Sequence, residues 1–600
     1  MKKITLYSLG IFMMTTTLLS CKKFLDKYPI TEVGPDVVFK NSESVFHAIA
    51  GVYAQLTGDQ GYGKVLSLYF PLDTDETFGP SGGDDNGRRD IARYIVTPAN
   101  IEIQRPFEQL FRGIEYANIC IVNIPKMDAY ISGSDIEKGK LRRMLGEALT
   151  LRAQFYHEAI KNWGDLPAHF LPASTLAILD PTPRRISQDS LYDQIIADLK
   201  EAEDLMPWAN QLSTIGDQPD ERITKGTAKA LRARIALFRG GYALRQNGTI
   251  ERRPDYQQYY QIARDECAEI MAAGVHQLNP SYKDLWKNQV CGRAVVDPHN
   301  ELMFQVGAIG LAARADSKMG YYNGPTVSGF GNRGVLVLPT HYYAYNPLDQ
   351  RRDVNVAPYN VQPDGVTKVA QGPTALNDGK WRRDWITNPA PSPSDAAQYF
   401  SLKWQLIRYA DVLLMFAEAE NELNGPTPAA YEALNKVRRR GFGLSIDAPS
   451  AIDATPGLSK TDFFNTVVNE RSFEFCGEGL RKYDLLRWNL LKSKIDETRA
   501  KLQLMELREG PYEGFPTSMY YRTGTTADDG SIWTTSLYEP APPTAEAPPA
   551  STRISWIGSS ITTTILARYA IGFNTGKAEL LPIPQVTRGS NPNLSQNPNY

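Results

Sequence analysis

Glu470, Glu474 and Glu478 fall at i, i+4 and i+8, which puts three carboxylates on one face if a single helix carries them. A carboxylate pair in that position could work as general acid and base. Arg471, Arg481 and Arg487 are interleaved with them, and a guanidinium fork binds a carboxylate bidentately. The block therefore reads as a charge network that locks the last helices together. Other catalytic signals stop one residue short. Gly58, Gly63 and Lys64 fit a phosphate-binding loop, but Val65 stands where Ser or Thr would hold magnesium. His157-Glu158 opens a zinc-protease pattern, but Lys161 stands where the second histidine belongs. Gly-x-Ser-x-Gly is absent, and the 6 histidines are dispersed. No catalytic residue is assigned. Glycosidase carboxylates are defined by spatial separation, so counting the 67 acidic residues leaves a hydrolase open as the rival reading. The run Asp73-Thr74-Asp75-Glu76 through Asp84-Asp85-Asn86 offers the oxygen ligands that calcium takes. It lacks the EF-hand spacing, so a solvated turn is expected, with no metal site and no cofactor. Cys120, Cys267, Cys291 and Cys476 are scattered without a CxxC pair, which points to neither zinc nor a disulfide framework. Whether they form bridges stays open.

A fifth thiol, Cys21, has a different setting. Lys2 and Lys3 precede an apolar stretch from Ile4 to Leu19, and Leu18-Leu19-Ser20 lead into Cys21. A cationic start, an apolar stretch and a small residue before the cut make residues 1–20 a secretory signal. The stretch is shorter than the ~20 residues of a spanning helix and holds Ser8 and Thr15 to Thr17. A cysteine after Leu-x-Ser resembles a bacterial lipobox, which implies a thioether-linked diacylglycerol on Cys21. Each buried methylene adds roughly 0.8 kcal/mol, and several acyl chains together anchor stably. Net charge is -2 and mean hydropathy -0.36, so no whole-chain field draws nucleic acid or an anionic bilayer. The expectation is a body tethered to a membrane through its lipid anchor only.

The elements that position these residues read mostly as amphipathic helices. With 600 residues the chain exceeds the ~250–300 at which one core stops growing, so two interlocked halves are expected. Helical periodicity runs from Val45 to Leu56, from Phe107 to Ile124, from Leu141 to Trp163 and from Ser187, as N-cap, to Met206. It continues at Thr224 to Arg245 and Tyr256 to Ala273, with Ala228, Ala230, Ala233 and Ala236 as close-packing positions. Helices in succession suggest a tetratricopeptide-like solenoid of helix pairs, although no clean 34-residue repeat is present. Residues 275–400 are rich in Gly, Pro, Asn, Asp and Tyr and lose periodicity, which marks a long functional loop zone. Helices return at Gln405 to Leu423, at Pro428 to Arg439 with Thr427 as N-cap, and at Lys460 to Phe475. The last twenty residues hold four prolines and read as extended. The fold class is mostly α, with helix pairs packed against a loop-rich second half that has few short strands. Its regions are 21–245, helical, and 275–600, with 275–400 facing a ligand.

Four blocks then give a family resemblance. The first is Gly146 to Tyr156 followed by Trp163-Gly164-Asp165-Leu166-Pro167. The second is Ile407 to Ala419, with Leu434 to Arg438 after it. The third runs from Glu470-Arg471 through Glu474, Glu478-Gly479, Arg481 and Asp484-Leu485 to Arg487-Trp488. The fourth is Leu581-Pro582-Ile583-Pro584 with the ending Asn591 to Tyr600. In this order, with Cys21, they resemble the SusD/RagB family of outer-membrane lipoproteins of Bacteroidetes. The resemblance implies a SusD-like fold and a non-enzymatic surface lipoprotein that captures oligosaccharides, or peptides, for nutrient uptake. It also implies a SusC-like TonB-dependent transporter as partner. The family usually has Gly before its final Tyr. Asn599 stands there, the non-glycine type that best tolerates a left-handed backbone. The family's ligand-binding residues lie outside these blocks, so the site residues rest on composition. A pyranose offers an apolar face to stack and a polar rim to hydrogen-bond. The loop zone supplies Trp286, Tyr321, Tyr322, Asn323, Tyr342, Tyr343, Tyr345, Trp381 and Trp385, and the early loop adds Phe78 and Tyr94. A third reading, an adhesive scaffold, would have protein partners but no small ligand.

Overall fold

The computed structural model describes residues 34–294, 296–310, 313–522 and 532–600. Cys21 and the signal segment lie outside the described residues. Helices form where capped apolar periodicity predicts them. The first long ones are α1 (Ser42–Tyr53), α2 (Ile101–Asn123) and α3 (Asp135–Trp163). α3 opens on a reciprocal cap, in which Ser134 Oγ accepts the Glu137 N–H and the Glu137 carboxylate accepts the Ser134 N–H. α4 (Gln188–Leu205) is capped by Ser187 as expected. α5 (Lys225–Arg239) ends six residues before the predicted Arg245. Gly240-Gly241 breaks it, and a hairpin pairs Tyr242–Leu244 with Ile250–Arg252. α6 (Tyr256–Ala273) follows. α2 packs on α3, α3 on α4, α4 on α5 and α5 on α6. Ala228, Ala230, Ala233 and Ala236 are fully buried and let α5 approach its neighbours closely.

The array continues across the loop zone. α7 (Tyr409–Asn424) packs on α6, and both α8 (Pro428–Gly441) and α9 (Lys460–Phe475) pack on α7. Tyr256, Tyr260 and Arg264 of α6 donate to Glu422, Glu418 and Glu420 of α7 at 3.1, 3.3 and 3.0 Å. Arg234 of α5 and Arg471 of α9 converge on Asp411 of α7 at 2.5 and 2.6 Å. These carboxylates tie α7 to α5, α6 and α9. α10 (Leu491–Leu507) then packs against the C-terminal core. Among the described residues no helix is long and apolar enough to cross a membrane.

Short strands frame the excursion between α6 and α7. They are β1 (Thr77–Phe78), β2 (Leu302–Val306), β3 (Leu336–Val337), β4 (Val356–Ala357), β5 (Leu376–Asp378) and β6 (Trp404–Arg408). β2 and β6 pair antiparallel, Trp404 opposite Val306 and Arg408 opposite Leu302, so the chain leaves and returns through one ladder. The predicted helix from Gln405 is therefore strand for its first four residues, where alternate side chains pack on both faces. A four-stranded antiparallel sheet of order β1-β3-β5-β4 ties the early loop to the loop zone. Further on, β7 (Ser518–Arg522) and β8 (Ser551–Ser555) form a hairpin over α10 and the loop zone.

The predicted charge network exists with different partners. α9 stops at Phe475, and Gly477 turns the chain at φ 81°, so one helix does not carry all three glutamates. Glu474 and Glu478 nevertheless meet on Arg408 at 3.0 and 2.8 Å. Arg351 and Arg440 complete the cage around Glu474, and Glu301 takes Arg408 and Arg440. Arg471, Arg481 and Arg487 pair instead with Asp411 and Asp484, with Asp75, and with Glu418 and Asp484. The carboxylates are buried and each guanidinium holds several of them, which makes the cluster structural.

The C-terminal tail docks on the body. Asn597 Nδ2 donates to Trp163 O at 3.0 Å and Leu581 O at 2.7 Å, while Asn591 and Asn593 donate to Pro183 O and Thr182 O. It is not wholly extended, because Gln585–Ser590 forms a helical turn and a half. Pro584 precedes its first residue, where a missing N–H is harmless. Asn599 has φ 64°, the left-handed conformation for which it is suited.

Candidate ligand-binding site

Two loops meet because two glycines let their backbones touch. Gly58 has φ 78°, and a Cβ there would lie 2.7 Å from Ala313 O. A Cβ at Gly63 would lie 2.5 Å from Asp316 O. The contact is sealed by Asp59 N–H to Ala313 O at 2.7 Å and Lys318 N–H to Gly63 O at 2.8 Å. The near-match to a phosphate loop thus has another cause: the glycines seat residues 313–318. Lys64 and Lys318 face the same carboxylate, Asp59, at 3.6 and 3.0 Å. Burial works against the Lys318 ammonium, but Asp59 more than offsets it and raises the pKa.

A tyrosine ledge rises from this junction. The turn after Lys318 presents Tyr321 and Tyr322, whose N–H groups both donate to Lys318 O. Their rings lie 5.7 Å apart, and Tyr322 lies 6.1 Å from Tyr69, which the short helix Val65–Leu68 delivers. Tyr399 joins from the far end of the loop zone, donating its hydroxyl to Asp59 Oδ1 at 3.2 Å. The Lys318 ammonium sits 5.6 Å from the Tyr322 ring and 5.0 Å from the Tyr399 ring. The Arg88 guanidinium sits 5.4 Å from Tyr322 and 5.8 Å from Tyr69. Tyr321, Tyr322 and Tyr399 are half-buried, while Tyr69 is only 5% exposed. Burial, and then the neighbouring Tyr322, push the Tyr69 phenol well up, so it stays a neutral hydrogen-bonding group. Partly open rings beside fixed cations can stack on an apolar ring face and hydrogen-bond its rim.

Most of the residues expected from composition are closed off. Trp286 and Trp381 are 0% exposed; Trp381 stacks on Trp404 at 4.7 Å and Trp286 meets Trp381 edge-on at 5.0 Å. This stack roofs the charge network, with Lys380 4.7 Å from the Trp286 ring. Trp385 is buried against the Arg382 guanidinium at 4.1 Å. Tyr342 and Tyr343 are buried beneath the β7–β8 hairpin and accept from Trp533 Nε1 and Trp556 Nε1 at 3.1 and 2.6 Å. Tyr345 is buried and hydrogen-bonded to Asn355. Phe78 and Tyr94 belong to the same apolar cluster as that hairpin, Tyr94 donating to Asp73 O at 2.9 Å. Asn323 is fully buried, donating to Asp378 and accepting from the Gly320 N–H. These side chains offer no face to a ligand, because the loop zone folds its own core. Tyr321 and Tyr322 are the expected residues that the structure brings together on a ledge. Tyr69, Arg88, Lys318 and Tyr399 were not expected there; the Gly58/Gly63 spacing was the available signal.

The acidic run divides: residues 81–86 are an exposed turn, as expected, whereas Asp73 to Glu76 are built into the fold. Asp73 is buried and accepts the Gly79 and Ala570 N–H groups, and burial raises its pKa to about 6. Asp75 forks onto Arg481, Asp84 pairs with Arg93 and Asp85 with Arg89. Among the described residues no cluster of three or more His, Cys, Asp or Glu is arranged to hold a metal ion. Cys120, Cys267, Cys291 and Cys476 are buried free thiols. A polar pocket between α9 and α10 is lined by Asp75, Arg481, Lys494, Glu497 and Lys501. Its charges are already paired with one another.

Comparison with known proteins places this geometry in context. Residues 345–600 match the model of the SusD family, and residues 23–237 match one described as starch-binding, associating with outer membrane. SusD-like protein P25 of Formosa agariphila is 23% identical over 541 residues, covering 82% of this chain and 92% of its own. A crystal structure of a SusD homolog from Bacteroides thetaiotaomicron superposes with a TM-score of 0.76 at 24% identity, covering 95% of this chain and 99% of that one. Surface glycan-binding protein A from the same species, solved in complex with laminarihexaose, gives a TM-score of 0.61 at 18% identity, with coverage of 94% and 100%. At these identities the structural likeness establishes the fold.

Proposed function

Because the chain belongs to the SusD/RagB family, we propose that it is a surface-anchored binding protein that captures oligosaccharides on the tyrosine ledge and passes them to a TonB-dependent transporter. The ledge carries this reading: Tyr69, Tyr321, Tyr322 and Tyr399 converge from three separate stretches of chain, and three of the four keep an open edge. Side chains gathered for packing alone would close over one another, as the Trp286, Trp381 and Trp404 stack does. The cations at the ledge are anchored, Lys64 and Lys318 by Asp59, which limits the entropy lost when a ligand docks. The family description supports an outer-membrane setting. Acylation of Cys21 is the proposed attachment, and the resemblance that carries the SusC-like partner carries delivery too. The rings and cations of the ledge, with Asp59 engaged by Lys64, Lys318 and Tyr399, support binding rather than turnover. The carboxylates of the early loop are held by arginines.

The test is a glycan array probed with the purified full-length protein and with the double variant Tyr321→Ala/Tyr322→Ala. Stacking contributes about 1–3 kcal/mol per ring by analogy with other ring-stacking sites, so the double variant should bind at least about tenfold more weakly. Binding by the parent that the double variant retains in full would sink the assignment of the site.

A further inference from the structure

Arg88 is the ledge residue whose chemistry is unspent. Its neighbours on the short helix Arg88–Ala92 and at that helix's C-terminal end are satisfied. Arg89 donates to Asp85 and to Ser81 O, and Arg93 donates to Asp84 and to Gly82 O. These pairs consume Asp84 and Asp85. Arg88, half-buried between the Tyr69 and Tyr322 rings, has no carboxylate within ion-pair distance and no carbonyl acceptor among the described residues. A guanidinium carries five N–H donors in a planar fork, and withdrawing it from water without acceptors is unfavourable. The tyrosine faces attract the charge but accept no pair of in-plane hydrogen bonds.

The surrounding charge has the same sense. Lys64 and Lys318 share the single carboxylate of Asp59. Glu102, whose charge reaches Tyr69, is the other carboxylate at the ledge, and its Oε2 is buried without a hydrogen-bond partner. Lys64, Lys318 and Arg88 thus gather where Asp59 and Glu102 supply the nearby negative charge. Elsewhere in the loop zone, Arg383 is 2% exposed, donates among the described residues to the carbonyls of Ser392 and Asp395, and leaves Nε and Nη1 unpartnered. Its guanidinium lies 5.0 Å from the Phe400 ring and 5.9 Å from the Phe330 ring.

We infer that the saccharide taken by this ledge is acidic, and that Arg88 grips an oxyanion on it, a uronate carboxylate or a sulfate ester, while the tyrosines take the ring. The inference rests on the reading of the ledge as a saccharide site. Both oxyanions present two oxygens at the spacing of the guanidinium fork. A neutral sugar would offer hydroxyls alone, which bring neither the paired oxygens of an oxyanion nor a charge to set against the guanidinium.

The experiment is calorimetric titration of the full-length protein in detergent with three oligosaccharides of matched length: an oligogalacturonate, a sulfated galactan fragment and neutral laminarihexaose. Parent, Arg88→Gln, Arg88→Lys and Tyr321→Ala/Tyr322→Ala proteins are compared, with thermal melts to verify folding. At least one acidic probe should bind about tenfold or more tightly than the neutral one, and the preference should shrink as salt is raised. Which acidic probe wins identifies the oxyanion. Arg88→Gln should abolish the preference, Arg88→Lys should restore only part of it, and the double tyrosine variant should weaken every probe. A neutral probe that binds as well as the acidic ones, or a preference that survives Arg88→Gln, overturns the inference and leaves the saccharide site standing. No binding of any probe by the parent, or binding indifferent to both tyrosines, overturns the site as well.

Discussion

Two buried glutamates show how the same side chain is used in opposite senses. Burial alone would raise Glu474, but Arg440, Arg408 and Arg351 hold it down at about 2. Its ionised form therefore stabilises the fold. That contribution is fully present above the unfolded value near 4.5 and is lost as pH falls through about 2. Glu474→Gln leaves three guanidinium groups short of a charge and should cost about 3–5 kcal/mol. Chemical denaturation at pH 7 and pH 3 measures it, and the deficit should be smaller at pH 3. Glu76 behaves inversely. Burial raises it to about 8, the adjacent Asp75 adds to the rise, and Arg481 at 3.6 Å only partly offsets it. A carboxyl raised above its unfolded value makes the fold less stable as pH climbs from about 4.5 toward 8. Glu76→Gln should therefore raise the melting temperature at pH 7 and leave it nearly unchanged at pH 4. Equal effects at both pH values would contradict the assignment.

At the level of elements, the ledge depends on the close contact of residues 57–64 with residues 313–318. Gly63→Val would put a branched side chain where Asp316 O already sits, 2.5 Å from the new Cβ. The expected penalty is about 1–3 kcal/mol, with loss of glycan binding as Lys318, Tyr322 and Lys64 separate. Binding preserved at full affinity in a folded Gly63→Val protein would show that the two loops act independently. The helices around this contact were legible because local signals agree. Ser187 and Thr427 cap where they should, and the buried alanines of α5 mark its packed face. Strand Trp404–Arg408 was misread because an apolar run ahead of a helix has no period of its own. The ring-bearing loops were legible as a class and opaque in detail. Trp381 and Tyr321 stand in equally irregular sequence, yet one lies under a stack of indoles and the other on an open ledge. That difference is made by segments far away in the chain, such as the hairpin that covers Tyr343. The pairing of Arg408 with Glu474, 66 positions apart, was likewise beyond any local rule, whereas the presence of a charge network was not.

For the molecule as a whole, the proposed tether and the ledge make separate demands. Cys21→Ala should abolish incorporation of labelled fatty acid and release the protein from the outer-membrane fraction, without changing saccharide affinity in solution. Continued membrane retention without acylation would show that another surface does the anchoring. Affinity should be indifferent because the ledge is assembled wholly from residues between Asp59 and Tyr399.

The seating of α7 on α6 has one more implication. Tyr260, Ala263, Cys267 and Ile270 of α6 are covered by a helix encoded some 150 positions later, and the chain's last asparagines clasp the end of α3. A chain cut short before α7 would leave that face of α6 bare, and one lacking its last asparagines would leave the Trp163 carbonyl without Asn597.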